Sequence, residues 1–212
     1  EIAEVCHERG VLVHTDASQS AGKVVLDVAD LGVDFLTLAG HKLYAPKGIG
    51  ALYIRDGIHI EPLIHGAGHE QGRRAGTENT PYIIGLGKAC ELAADSTSRE
   101  RVKQVTDYFY ERLQETFGDK IHLNGHMHKR LPNTLNVSFL GAVGHEIIDS
   151  LEDVAASTGS ACHSGETLIL PVLRAMNVSA SIGQGAVRFS VGRYTTIAEI
   201  DEVIGKLKNS GI

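Results

Sequence analysis

The run Ala39-Gly40-His41-Lys42-Leu43-Tyr44-Ala45-Pro46-Lys47-Gly48-Ile49-Gly50 constrains the fold of this chain more than any other stretch. It follows an apolar, strand-like segment, Val33 to Leu38, and closes in a Pro/Gly turn, so the fold holds Lys42 in place. Upstream, Val11-Leu12-Val13-His14-Thr15-Asp16 reads as a buried strand ending on a carboxylate. Buried strands of parallel sheets present ligand-binding residues at their carboxyl ends. A positioned lysine, an aspartate at a strand end and the cysteine of Ser160-Ala161-Cys162 are together the parts of pyridoxal phosphate (PLP) chemistry. In such sites a lysine carries the cofactor and a carboxylate partners its pyridinium nitrogen.

Composition narrows the classes. A chain of 212 residues makes one or two domains, and with 42% hydrophobic residues it can bury a core. The net charge of −6 argues against a grip on nucleic acid, which needs a basic face. No apolar run spans a bilayer and no signal segment opens the chain, so no membrane role is expected. Three scattered cysteines, Cys6, Cys90 and Cys162, fit a reducing compartment and a cytoplasmic location better than a disulfide framework. The opening Glu1-Ile2-Ala3-Glu4-Val5-Cys6-His7-Glu8-Arg9-Gly10 has no initiator Met and reads as the last turns of a helix stopped by Gly10. A helix leading straight into a strand expects a strand before it. The sequence therefore reads as a fragment of a longer protein with its upstream half absent.

The first half alternates helix and strand, the rhythm of an α/β sheet. Strands are expected over 11–16, 34–38 and 50–55, with a helical turn from Ser18. Residues 56–79 read as an irregular functional loop. Thr80-Pro81 opens a helix to about Ala94. Further on, Thr97-Ser98-Arg99-Glu100 is a capping box. Behind it, Val102, Val105, Phe109, Leu113 and Phe117 mark one face of a long helix closed by Gly118. Strands are expected near 120–123, 134–140 and 153–157, with a helix near 144–151. Ala186 to Val191 alternates as a half-buried strand, and Thr196-Ile197-Ala198-Glu199 caps the final helix. The second half is a compact α+β domain, and the boundary falls near residue 95.

Five motifs occur in order: His14-Thr15-Asp16-Ala17-Ser18-Gln19-Ser20, Gly40-His41-Lys42-Leu43-Tyr44-Ala45-Pro46-Lys47-Gly48, Arg74-Ala75-Gly76-Thr77-Glu78-Asn79, Ser157-Thr158-Gly159-Ser160-Ala161-Cys162 and Val187-Arg188-Phe189-Ser190-Val191-Gly192-Arg193. Across essentially the whole chain this resembles the cysteine desulfurase and selenocysteine lyase family of class V aminotransferase-like PLP enzymes. The resemblance implies the aspartate aminotransferase-like fold type I. Residues 1–95 would be the C-terminal part of the PLP-binding large domain, here truncated, and 96–212 the small α+β domain with the catalytic cysteine loop. It implies that Lys42 carries PLP and moves the substrate Cα proton, and that Asp16 pairs with the pyridinium nitrogen. Gln19 would bond the phenolic oxygen, and His41 the phosphate. Thr77 would reach the phosphate from a neighbouring subunit, hence a homodimer. Arg188 would clamp the carboxylate of a small amino-acid substrate through a bidentate fork. Cys162 would be the nucleophile that takes the sulfur as a persulfide and releases alanine. A sulfur-acceptor protein, as in iron–sulfur cluster assembly, would follow.

Two features depart from the family pattern. Ala39 stands where many members carry a phosphate-binding serine. The segment after Cys162, His163 to Leu168, is shorter than in many housekeeping desulfurases. The stretches around Thr77 and Cys162 resemble selenocysteine lyases, which keeps L-selenocysteine as an alternative substrate. A non-catalytic dimerising fragment is the alternative from another class, because a sheet cut through its middle exposes an edge.

Each residue also has a plainer reading. Lys42 alone would be a surface lysine, and Asp16 a cap for the turn that follows. Cys162 would be a small buried hydrophobe, although its Gly/Ser-rich setting favours an accessible loop. Arg188 needs an anion, which an internal carboxylate would supply as well as a substrate. His122, His126 and His128, like His59, His65 and His69, lack the spacing of a zinc site, so no metal is expected. Gly66-Ala67-Gly68 with Gly72 is not a dinucleotide fingerprint, and Lys47-Gly48 is not a P-loop.

Overall fold

The computed structural model describes residues 1–158, 160–163 and 166–211, with backbone alone for 160–163 and 166–169. It divides into two compact units, residues 1–96 and 97–212.

The first unit opens with α1 (Ile2–His7) and turns at Gly10, whose φ of +68° a residue with a Cβ adopts only at a cost. Next come β1 (His14–Asp16), α2 (Val28–Leu31), β2 (Phe35–Ala39) and β3 (Gly50–Ile54). The sheet order is β1-β2-β3. β1 runs parallel to β2 with Asp16 opposite Thr37, and β3 returns antiparallel with Gly50 opposite Ala39. α2 was not expected from the sequence, yet its punctuation is present. Asp27 accepts from the Ala29 and Asp30 amides, and Gly32 ends the helix in the left-handed conformation. One face of the sheet packs Val13, Leu36, Leu38 and Tyr53 with Ala17, Leu26, Val28 and Val33. The expected burial of the whole 11–16 run is corrected. Val11 and Leu12 are 52% and 55% exposed, and the ladder spans only His14–Asp16. Val11 and Leu12 precede the ladder, and among the described residues β1 pairs with β2 alone. α3 (Thr80–Ala93) starts where the Asn79 side chain accepts from the Tyr82 amide. Its Ala89, Cys90 and Ala93 pack with Ala21 and Leu43, which ties the helix to the turn that bears Lys42.

The second unit is built on α4 (Ser96–Phe117), which begins one residue before the expected cap. The apolar face read from the sequence, Val102 through Phe117, is the face that packs. It covers a four-stranded antiparallel sheet of β4 (Ile121–Leu123), β5 (Thr134–Phe139), β9 (Ala186–Ser190) and β6 (Ser157–Thr158), in the order β4-β5-β9-β6. Phe109 meets Phe189 edge-on at 5.1 Å, and Phe117 meets Phe139 at 5.4 Å. The strand expected over 153–157 shrinks to β6. Three short helices, α5 (Gly144–Asp149), α6 (Pro171–Ala175) and α7 (Ala180–Gly183), connect the strands. α8 (Ile197–Asn209) starts at the predicted capping box: Thr196 and Glu199 bond each other's backbone amides. The segment expected to be a loop around Cys162 is instead extended backbone. β7 (Ser160–His163) pairs antiparallel with β8 (Glu166–Ile169), with Cys162 opposite Thr167.

Candidate active site

The carboxyl ends of β1 and β2 carry the chemistry of the first unit. Asp16 is the last residue of β1, and its Oδ1 accepts the Ser18 amide at 2.8 Å. That is an Asx turn. The segment 18–23 is turns, so Asp16 caps no helix. Hydrogen bonding from Ser18 holds the Asp16 carboxyl below the ordinary aspartate value; the slight burial opposes it, and the charges of Lys42 and His14 assist. His14 and Asp16 are two residues apart on a strand and share one face. His14 Nε2 lies 2.8 Å from the hydroxyl of Thr37, the residue that opposes Asp16.

Lys42 sits in a 3-10 turn, Gly40–Leu43, directly after β2. The turn is close-packed at its root. Gly40 donates its amide to the Ile49 carbonyl at 2.9 Å and accepts from Ala45 at 3.0 Å. A Cβ on Gly40 would lie 2.7 Å from that Ile49 oxygen. Tyr44 ends the turn at φ +67°, a left-handed conformation that is uncommon for a side chain of that size. Lys42 is half-buried and His41 beside it is exposed. Lys42 acts electrostatically on both Asp16 and Lys23. Gln19, in the turn after β1, receives Lys23 Nζ on its carbonyl at 2.7 Å and on Oε1 at 3.3 Å. The structure thus brings Asp16, Gln19 and Lys42 into one neighbourhood. Ala39, the last residue of β2, offers no side-chain oxygen there.

Thr77 lies elsewhere in the unit. It is exposed and lines a cleft of about 760 Å³ with Arg73, Arg74, Asn79 and the β3 residues, a cleft that neither Lys42 nor Asp16 lines. In the second unit, Arg188 stands on β9 opposite Ser157, exposed, and its Nη2 donates to the Ser157 hydroxyl at 3.1 Å. Among the described residues Arg188 forms no ion pair with a carboxylate. β6, its neighbour, ends at Thr158, two residues before β7 brings in Cys162. The Cys162 side chain lies outside the described residues. No cluster of His, Cys, Asp or Glu able to hold a metal occurs among the described residues.

Sequence reasoning passed over three residues that organise this sheet. His14 and Lys23 are two, and the third is Asp34. The Asp34 side chain is fully buried at the start of β2. Its Oδ2 accepts the Val13 amide at 2.6 Å and meets His7 Nε2 at 2.9 Å, while Arg55 approaches Oδ1 at 2.5 Å. A carboxylate only accepts, so His7 Nε2 carries the hydrogen. The Arg55 contact is an ion pair without hydrogen-bond alignment, since Oδ1 has no hydrogen-bond partner. Burial pushes the Asp34 carboxyl up, but His7, the Val13 amide and Arg55 together outweigh it and leave it below its ordinary value. One side chain thereby ties α1, the entry to β1 and the exit of β3. The signal available was an aspartate inside the apolar run Val33 to Leu38, a position where an unpaired charge is costly.

The aminotransferase class-V family model matches residues 1–203, and the chain belongs to that family. Its curated relatives carry a narrower description. It is 42% identical over 214 residues to "Cysteine desulfurase IscS" of Histophilus somni, covering 99% of this chain and 52% of that one. It is 47% identical over 207 residues to "Cysteine desulfurase" of Gluconacetobacter diazotrophicus, covering 96% and 52%. Among solved structures, a "NIFS-LIKE PROTEIN" superimposes with a TM-score of 0.84 at 35% identity over 95% of this chain and 52% of that one. "SspA in complex with cysteine" superimposes at 0.71 and 35% identity, over 92% and 54%. The chain spans about half the length of the curated relatives it matches.

Proposed function

We propose that this chain supplies the lysine, the ring-binding carboxylate and the nucleophile of a PLP-dependent cysteine desulfurase. The observation that carries the reading is the convergence of Asp16, Gln19 and Lys42 at the carboxyl ends of β1 and β2. The residues fit the cofactor. Asp16 is held as a carboxylate, Gln19 has its Nε2 donor unengaged among the described residues, and Lys42 stands on a turn that admits no Cβ at Gly40. When bound, PLP supplies a carbonyl carbon for amines and an electron sink for bonds at the substrate Cα.

The chain's own groups do the rest. Asp16 accepts the hydrogen of the ring nitrogen and keeps that nitrogen protonated. Gln19 Nε2 donates to the phenolic oxygen. Lys42 holds the cofactor and then takes the proton from the substrate Cα with its amine. Arg188 grips the substrate carboxylate with both arms of its guanidinium, which selects the Cα bond to be broken. Cys162 attacks the substrate sulfur as a thiolate. A sulfur–sulfur bond forms, the carbon–sulfur pair stays with Cβ, and protonation of Cβ followed by return of the Cα proton from Lys42 gives alanine. His41 contributes to phosphate binding. Thr77 does so for a second copy, in a homodimer. The relatives named cysteine desulfurase and the SspA structure solved with cysteine support L-cysteine as the substrate, over L-selenocysteine. The persulfide passes to an acceptor protein, as iron–sulfur assembly in the cytoplasm requires. Among the described residues no helix is long and apolar enough to cross a membrane.

The experiment is to mix the chain with PLP, reduce with borohydride and map the tagged peptide. The tag is expected on Lys42 and absent from Lys42→Ala. A tag spread over other lysines, or none, refutes the reading. In a preparation that turns over L-cysteine, Cys162→Ala keeps the tag and loses the persulfide.

A further inference from the structure

Gln19 could present either end of its amide to a ligand, and the two ends have opposite chemistry. Oε1 only accepts hydrogen bonds and Nε2 only donates them. Lys23 resolves the choice. Its ammonium has three donors and no acceptor, and it sits four residues along the same turn. Nζ lies 2.7 Å from the Gln19 carbonyl and 3.3 Å from Oε1. The amide oxygen must therefore face Lys23, which turns Nε2 away from it. Among the described residues nothing else engages that Nε2. The turn is built to hold the pair: Lys23 and Val24 donate their amides to the Ser20 carbonyl, and Ala21 donates to Ala17. Lys23 is half-buried, while Gln19 beside it is exposed.

We propose that Lys23 is a positioning residue that fixes the orientation of the Gln19 amide and so makes position 19 a hydrogen-bond donor toward the cofactor. This rests on the PLP reading above. It adds the residue that decides the polarity of that contact. Burial pushes the Lys23 ammonium below its ordinary value and the neighbouring Lys42 charge adds to the effect, in line with two ammonium groups flanking one small space. An anionic phenolic oxygen is the ligand atom such a space favours.

Two measurements test it. Without cofactor, the Gln19 side-chain amide resonances of the chain are compared with those of Lys23→Met and Lys23→Arg. Lys23→Met should shift them and collapse the difference between the two amide protons, while Lys23→Arg, which keeps a donor, should restore the original pattern. Unchanged resonances in Lys23→Met overturn the proposal whether or not PLP binds. With cofactor, Lys23→Met and Gln19→Ala should each weaken PLP binding about tenfold, the size of one hydrogen bond to an ionised group. The double variant should be no weaker than Gln19→Ala alone within about twofold, because Lys23 acts through Gln19. Losses that multiply to about a hundredfold would mean that Lys23 acts independently, and would overturn the proposal. If wild-type chain binds no PLP while the resonances behave as expected, the functional reading fails and the orientation of Gln19 stands.

Discussion

Replacing Gly40 by Ala tests whether the turn that carries Lys42 is held as tightly as its contacts imply. The added methyl would lie 2.7 Å from the Ile49 oxygen, 2.8 Å from Ile49 Cγ2 and 3.2 Å from the Ala45 Cβ. Overpacking of this kind costs about 1–3 kcal/mol. The oxygen it strikes is also the acceptor of the Gly40 amide at 2.9 Å. Pushing that acceptor away forfeits about 1 kcal/mol more. The expected loss is therefore about 2–4 kcal/mol, read as a lower midpoint in urea unfolding followed by circular dichroism. Gly87 is the control. It lies exposed inside α3, and nothing comes within 4 Å of its added Cβ. Gly87→Ala should stabilise by about 0.5–1 kcal/mol, since alanine is the better helix former. Opposite signs at the two glycines are the prediction. A Gly40→Ala loss below about 1 kcal/mol would mean that the turn relaxes without resistance, and the claim that the fold fixes Lys42 would fall with it.

Thr196→Ala removes one half of the capping box at α8 and should cost about 1 kcal/mol in the same urea assay; no change would mean that the cap is made good by solvent. Acid should weaken the first unit through Asp34. Its folded value is depressed below the ordinary 3.8, so its contribution is present above that value and is lost as pH falls through the lower folded one. Asp34→Asn should flatten the acid limb of stability in that window, and an acid limb identical to wild type would remove Asp34 from the account.

What the sequence told in advance follows from the range over which each signal acts. The face of α4 and the cap of α8 are set by residues three and four apart, and both were legible. β9 was legible too, because Ala186, Val187 and Phe189 are buried while Arg188 and Ser190 are not. β1 was misjudged because Val11 and Leu12 carry the composition of a core strand, whereas the ladder begins only at His14 and leaves both outside it. The β7–β8 hairpin was read as loop because a Gly/Ser-rich segment has no period, and its pairing is decided by a partner strand. α2 was missed although Asp27 and Gly32 bracket it, since only four residues lie between them. At the proposed site, the motifs pointed to Asp16, Gln19 and Lys42, which the fold brings to one end of the sheet. The parts played by Asp34, His14 and Lys23 were not, because each works through a contact that spacing along the chain does not announce.

The antiparallel return of β3 along β2 has a consequence of its own. Residues 39 and 50 are ladder partners, so the segment between them leaves and re-enters the sheet at one point, and Leu43 seats it on α3. Changes within it that keep the Leu43 contact and the Gly40 root leave the two strands in their alignment. Lys42 is thus mounted on an insert of its own: reshaping the segment would re-aim Lys42 against a stationary Asp16, and exchanging it between relatives together with its α3 contacts would test how far aim alone matters.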